Sequence, residues 1–281
     1  MNDLTLDIPG FKIAAKVWGN PQLPPMLALH GWLDNANSFD LLAPYLEKNF
    51  HLIAIDLPGH GLSSHLPEGC YYHFTDGIFT FLEIAKALKL KQFHLLGHSM
   101  GACLASLIAG VIPEQILSLV AIEGLGPFSK PEESCQEQLR HYAQHLLKKH
   151  SQGNKPYHSL DLAAQARAKR GYLSLKHAEL LCLRGTREEH GMFYWRHDRR
   201  LLTPTALRMT EGQILSCLKH ISAKTCLIWA ENSSVFNGYD MGTRARSIRN
   251  LKTYLIKGGH HLHMEEPGIV SECLAEFYQL S

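Results

Sequence analysis

The first third of the chain alternates short apolar runs with amphipathic stretches. Residues 3–8 and 11–18 read as paired strands joined near Pro9-Gly10. Met26-Leu27-Ala28-Leu29 is a short buried strand that ends in His30-Gly31-Trp32. His51-Leu52-Ile53-Ala54-Ile55 is another, and it ends at Asp56-Leu57-Pro58-Gly59-His60-Gly61. Phe39, Leu42 and Leu46 share one face of a helix predicted from Ser38 to Lys48, and a second helix is predicted from Thr75 to Leu88. The strand Phe93-His94-Leu95-Leu96, an apolar helix from Ala102 to Ala109, and the buried strand Leu117 to Ile122 follow. Strands separated by helices of this length imply a mostly parallel sheet covered on both faces, an α/β class fold.

At Pro127 the pattern changes. From there to about Thr210 the residues are more polar and helical, with Glu132 to Lys149 the clearest helix; only Met192-Phe193-Tyr194-Trp195 suggests a strand. The strand–helix alternation resumes at Thr225-Cys226-Leu227-Ile228-Trp229, continues through Leu251 to Ile256, and ends in a helix from Pro267 to Leu280. The expected organisation is therefore an α/β core in two parts, residues 1–126 and 211–281, interrupted by a helical insertion at 127–210. No internal repeat or low-complexity tract stands out.

Composition narrows the function classes. At 281 residues, 45% hydrophobic and 19% charged, the chain has the make-up of a globular enzyme of one large domain or a core plus an insertion. A net charge of +2 gives no electrostatic case for nucleic acid. Seven cysteines (Cys70, Cys103, Cys135, Cys182, Cys217, Cys226, Cys273) form an odd set without a C-x-x-C pair, and several sit on apolar faces. That usage points to packed, reduced thiols and a reducing, cytoplasmic setting. The N-terminus lacks the basic and apolar regions of a secretory signal. The most membrane-like stretch, Phe93 to Ile112, contains His94, His98, Ser99 and three glycines, and reads as a buried strand and helix rather than a span. Most of the 18 histidines are scattered singly. Neither metal-ligand spacing nor a dinucleotide glycine motif stands out, so no metal and no cofactor is expected. Oligomeric state is left open.

The chemistry concentrates in Gly97-His98-Ser99-Met100-Gly101, which joins a strand to a buried helix. A serine at the apex of such a turn is pushed out above the sheet, at a helix N-terminus that favours negative charge. Small residues two places either side let the backbone fold back on itself. Ser99 is thereby a candidate nucleophile, which needs a base and a carboxylate to orient that base.

Four segments, His30-Gly31-Trp32-Leu33-Asp34-Asn35, Asp56 to Gly61, Gly97 to Gly101, and Gly259-His260 to Pro267, occur in an order and spacing that resemble the α/β-hydrolase superfamily over nearly the whole chain. The run from His30 to Asp40 looks particularly like its serine hydrolase-like branch. The resemblance implies an α/β-hydrolase fold with an inserted helical cap, and hydrolysis of a small-molecule carboxylic ester. It implies His260 as the base, because His263, Glu265 and Pro267 fall at the family's offsets. His261 is the neighbour that could be confused with it.

The family usually carries its acid in a Gly-x-x-Asp turn after the strand Thr225 to Trp229. Here that turn reads Ala230-Glu231-Asn232-Ser233, and Ser233 cannot stabilise an imidazolium. Glu123, at the end of the strand after the nucleophile helix, resembles the acid of family members that carry it there; Glu231 is the runner-up. The resemblance assigns the oxyanion donors to the backbone N–H groups of Trp32 and Met100. His30, Asp56 and His60 are expected to support their loops, and Asp34 to cap a turn. Phe128, Phe193, Tyr194 and Trp195 are candidate pocket liners, while Arg196 to Arg200 reads as a solvated charge run or an attractor of anionic substrate. A thioester, a lactone or a carbon–carbon bond are alternative substrates. A non-catalytic ligand- or partner-binding protein is the alternative of a different class, motivated by Ser233. Dehalogenation and epoxide hydrolysis need a carboxylate at position 99.

Overall fold

The computed structural model describes residues 2–147, 155–171 and 173–280. Its strands are β1 (Asn2–Ile8), β2 (Phe11–Trp18), β3 (Pro25–Leu29), β4 (His51–Ile55), β5 (Phe93–His98), β6 (Ile116–Ile122), β7 (Thr186–Glu189), β8 (Met192–Trp195), β9 (Lys224–Ala230) and β10 (Leu251–Ile256). Eight of them form one sheet in the order β1-β2-β4-β3-β5-β6-β9-β10, with β7-β8 a separate hairpin. The β1–β2 and β2–β4 pairs are antiparallel, and every pair from β4 to β10 is parallel.

Register is what positions a site here. Leu29 lies opposite Gly97, His98 opposite Ile122, Ile122 opposite Ile228, and Ala230 opposite Ile256. The C-terminal ends of five adjacent strands therefore stand in a row, the edge where open parallel sheets carry their ligands.

The helices are α1 (Ala43–Leu46), α2 (Asp76–Ala87), α3 (Met100–Val111), α4 (Cys135–Leu147), α5 (Leu160–Gly171), α6 (Leu175–Gly185), α7 (Glu211–Leu218), α8 (Met241–Arg246), α9 (Leu262–Glu265) and α10 (Pro267–Tyr278). Strand residues alternate between two cores, as a pleat with both faces buried demands. Leu27, Leu29, Leu95 and Leu119 point to the side covered by α2, α3 and α7. Met26, Ala28, Leu96 and Val120 point to the side covered by α1 and α10, through Leu46, Val270 and Leu274. α3 crosses α7 so closely that a Cβ on Gly110 would lie 2.2 Å from the Cys217 carbonyl oxygen. This is the expected α/β architecture, a mostly parallel sheet with helices on both faces.

The described residues of the segment 127–210 contribute α4, α5, α6 and the β7–β8 hairpin, and among them none adds a strand to the large sheet. α5 and α6 pack on each other through Ala163, Ala164, Ala178, Leu181 and Cys182, and the cluster reaches the core at Met264.

Several boundaries differ from the sequence reading. The helix expected from Ser38 to Lys48 is split into a 3-10 turn at Ala36–Phe39 and α1. Pro44, in the first turn of α1, has no N–H to continue a helix from upstream. Phe39, Leu42 and Leu46 are nonetheless all buried. The helix expected at Glu132 to Lys149 is a 3-10 turn followed by α4; Lys148 and Lys149 lie outside the described residues. β7 has no sequence signal, because Thr-Arg-Glu-Glu carries no apolar alternation. All seven cysteines are free, with Cys103, Cys182, Cys226 and Cys273 buried. Among the described residues no helix is long and apolar enough to cross a membrane.

Candidate active site

The sharp turn at Ser99 is built from the two glycines that flank it. A Cβ on Gly97 would lie 2.5 Å from the Ala102 Cα, and one on Gly101 would lie 2.0 Å from the Leu29 carbonyl oxygen. Neither position has room for a side chain. Ser99 itself is held at φ 51°, ψ −116°, a strained conformation for a residue with a Cβ. Its N–H donates to the Ile122 carbonyl at 2.9 Å, which ties the turn to the end of β6.

Two further residues meet the serine. His260 leaves β10 through a short turn, and its Nε2 lies 2.8 Å from Ser99 Oγ. On its other side Nδ1 lies 2.9 Å from Glu123 Oε2. Glu123 is fully buried one residue beyond β6 and also has a positive φ, 54°. Its second oxygen, Oε1, accepts from the Ala230 backbone N–H at 2.7 Å. Glu123 N–H in turn donates to Ile228 O at 2.9 Å, so main chain and side chain are both anchored to β9. With the carboxylate accepting from Nδ1–H, Nε2 is left to accept from the serine hydroxyl. The structure thus brings Ser99, His260 and Glu123 together. Glu231 is exposed, and Ser233 holds the turn after β9 by donating from its N–H to Ala230 O.

The loop after β3 carries Trp32. His30 steadies that loop, donating from Nδ1 to Gly31 O at 2.7 Å and accepting at Nε2 from Leu57 N–H at 3.0 Å. Asp56 accepts from the N–H groups of Ala36 and Leu62 and from Arg184 Nε. His60 donates from Nδ1 to Pro58 O. Burial pushes the His60 imidazole down to about 3 and so keeps it neutral. These three are loop supports, as the sequence suggested. Trp32 is half exposed, its indole N–H donating to Leu201 O at 3.1 Å, and Met100 opens α3 beside Ser99.

Asp34 does more than cap a turn. Its carboxylate is buried and accepts from Arg167 of α5 at 2.6 Å and from His261 Nε2 at 3.2 Å. Burial alone would raise its pKa, but His261 and Arg167 outweigh that and hold it well below the usual carboxylate range. His98 Nδ1 lies 3.6 Å away, while His98 Nε2–H donates to the His260 carbonyl at 2.8 Å. Burial pushes His98 down to about 3. One carboxylate therefore links the Trp32 loop, the turn at Ser99, the His260 loop and the inserted segment. Asp34, His98 and His261 could also be read as three metal ligands, but Asp34 already spends its charge on the Arg167 guanidinium, an unfavourable neighbour for a cation. Sequence reasoning missed Arg167 and the role of His98, for neither carries a local signal.

The four aromatic residues expected to line a pocket are not in the walls of the cavity that lies beside Trp32 and Met100. Phe128 stacks on Tyr239 and packs against Phe236. Phe193 pairs through its backbone with Tyr157, Tyr194 lies beside Arg187, and Trp195 packs on Tyr157 and His197. The rings of Phe128 and Trp195 are thus packed on neighbouring rings. A cavity of about 230 Å³ instead adjoins the site, with Trp32, Met100, Leu57, Phe74, Leu104 and Leu201 in its walls. A larger open hollow of about 440 Å³, walled by Lys130, Glu211 and Tyr239 among others, contains none of the site residues.

A parallel sheet with a serine turn after β5 and a histidine after its last strand defines a hydrolase-type scaffold, and the comparisons agree. The family described as alpha/beta hydrolase fold matches residues 24–267. The chain belongs to that family. It is 36% identical to a serine hydrolase-like protein of Dictyostelium discoideum, over 95% of this chain and 79% of that one. It is 31% identical to serine hydrolase-like protein 2 of Homo sapiens, over 99% and 94%. Among solved structures, a hypothetical protein from Pseudomonas aeruginosa PAO1 superposes with a TM-score of 0.92 at 33% identity, over 99% of this chain and all of that one. A thioesterase domain from the curacin biosynthetic pathway superposes with a TM-score of 0.85 at 27% identity, over 98% and 99%.

Proposed function

We propose that this protein is a serine hydrolase that cleaves a carboxylic ester through a Ser99–His260–Glu123 triad and an acyl-enzyme intermediate. The observation that carries this reading is the unbroken hydrogen-bond chain from Glu123 Oε2 through His260 to Ser99 Oγ, at 2.9 and 2.8 Å. Ser99 Oγ attacks the ester carbonyl as His260 Nε2 takes its proton. The buried Glu123 carboxylate stabilises the imidazolium so formed. His260 then returns the proton to the departing alcohol, and a water activated in the same way releases the acid. The backbone N–H groups of Trp32 and Met100 are assigned to the oxyanion, and residues 127–210 to a cap above the site. A thioester presents the same carbonyl to the same groups, and the likeness to the curacin thioesterase domain supports it as the second reading.

A fluorophosphonate probe tests the proposal directly. The wild-type protein is expected to be labelled at Ser99 and to hydrolyse short p-nitrophenyl esters, and Ser99→Ala to lose both while keeping its fold. A folded wild-type protein that is neither labelled nor active sinks the proposal in favour of a non-catalytic binding role.

A further inference from the structure

The cavity beside Trp32 and Met100 bears on which ester is cleaved. In a tetrahedral intermediate the leaving group must face His260 Nε2, because that atom protonates it. The acyl chain then projects away from His260, past the oxyanion donors. The cavity lies on that side: Trp32 and Met100, the two neighbours assigned to the oxyanion, are in its walls, and Ser99, His260 and Glu123 are not.

Its walls are mainly apolar, with a few polar groups that are largely engaged elsewhere. Leu57, Leu66, Phe74, Leu104 and Leu201 are among the apolar walls. Arg200, the cation in the lining, is engaged on every side. It contacts both oxygens of Asp198 and donates to the carbonyls of Leu66, Pro67 and Cys70. Tyr72 donates to Asp198 and accepts from Leu66 N–H. His60, neutral as described above, is occupied at Nδ1 by the Pro58 carbonyl. At the rim stands Asp76, exposed and negative. Among the described residues of these walls Arg200 is already paired, the exposed His73 packs its ring near Tyr71 and Tyr142, and at the rim an anionic chain end meets the like charge of Asp76.

Size sets the other limit. About 230 Å³ falls below the roughly 300–1,000 Å³ of pockets for drug-sized ligands. At about 30 Å³ for a water-sized group, it holds about eight non-hydrogen atoms.

Resting on the serine hydrolase reading, we infer that this cavity is the acyl-binding site, and that it takes an uncharged aliphatic acyl chain of up to about eight carbons. The test is kcat/KM for p-nitrophenyl esters from acetate to dodecanoate, beside mono-p-nitrophenyl adipate as the charged match of the hexanoate. Each methylene buried is expected to raise kcat/KM about fourfold until the cavity is full. At least a tenfold fall follows from the optimum to dodecanoate, and the adipate is at least tenfold poorer than the hexanoate. Leu201→Trp, at a half-buried wall position, should move the optimum at least two carbons shorter. Varying the alcohol at a fixed acyl group should give no such cut-off. A protein labelled by the fluorophosphonate whose rates rise steadily to dodecanoate, or which prefers the adipate, overturns this inference alone. An unlabelled protein overturns the hydrolase reading beneath it as well.

Discussion

Replacing Glu123 by glutamine changes one carboxylate oxygen into an NH2 group inside a fully buried pocket. Both oxygens are in use, Oε1 by the Ala230 main-chain N–H at 2.7 Å and Oε2 by His260 Nδ1 at 2.9 Å. The Ala230 N–H is fixed in β9 and can only donate, so the amide oxygen must stay with it. The NH2 then faces Nδ1, which can accept it only by giving up its proton, and the imidazole is left with that proton on Nε2. In that tautomer Nε2 cannot take the proton of Ser99. The reverse flip faces the NH2 against the Ala230 N–H, a buried donor pair costing about 1–3 kcal/mol. A wrong-tautomer histidine in a serine triad lowers kcat by about 10⁴, equivalent to about 5.4 kcal/mol at 1.36 kcal/mol per decade. Initial rates on p-nitrophenyl butyrate should show that fall in kcat with KM nearly unchanged, since substrate does not touch Glu123. Glu231→Gln, altering an exposed side chain, should stay within about twofold. If a folded Glu123→Gln protein loses less than about tenfold in kcat, Glu123 is not the triad acid.

Other substitutions separate the neighbouring roles. His260→Ala should abolish turnover nearly as fully as Ser99→Ala, because triad members act as a unit, whereas His261→Ala, which removes a partner of Asp34, should cost less kcat. The reverse ordering in esterase assays would mean that His261 is the base. Arg167→Met strands the buried Asp34 carboxylate, a loss of about 3–5 kcal/mol for a broken buried pair and roughly 10 °C in melting temperature, of which Asp34→Asn in the same chain should restore a part. An unchanged melt would show that the pair is not a stability element. Acidification should also destabilise the fold. His60 and His98 are buried with pKa values near 3, below the usual 6.5, so the unfolded chain binds their protons first. Each subtracts up to about 1.4 kcal/mol per pH unit as pH falls from 6.5 toward 3, and stability is regained as pH rises through that window. Asp34 acts in the same direction lower down, its contribution present above about pH 4 and lost below. Urea titrations at pH 7 and pH 5 measure this, and equal stabilities would contradict it.

What the sequence makes legible follows the range of the physical cause. The sheet is legible because buried strands announce themselves over a few consecutive residues, and the turn at Ser99 because its glycines and its apolar flanks are adjacent in the chain. The single helix expected at Ser38–Lys48 fails because periodicity outweighs one proline in such a reading, although its apolar face is buried as expected. The cavity is less legible still. Phe193, Tyr194 and Trp195 draw attention as an aromatic run, yet Trp195 packs its ring on Tyr157 and His197, and none of the three walls the cavity beside Trp32 and Met100. The cavity walls come from Trp32, Leu57, Phe74, Leu104 and Leu201, single residues on separate loops and helices whose proximity no spacing rule encodes. Arg167 is hidden for the same reason: on α5, among other charged residues, nothing distinguishes the arginine that enters the core from those that stay in solvent.

The proposed acid is the intermediate case, since its legibility depends on two places at once. Ser233 alone says that a carboxylate is missing, and Glu123 alone is only a glutamate at a strand end. The sheet explains why one can replace the other. β6 and β9 are neighbours with Ile122 opposite Ile228, so a side chain leaving β6 and one from the turn after β9 start from adjacent strand ends. From the β6 position a glutamate reaches His260 Nδ1 while its other oxygen takes the Ala230 N–H. That second bond binds the acid to the very turn from which the usual aspartate would have come. Glu123→Asp, one methylene shorter, cannot span both partners from the same backbone. The variant should lose most of kcat although its charge is intact, and a Glu123→Asp protein as fast as wild type would show that reach is not what selects glutamate here.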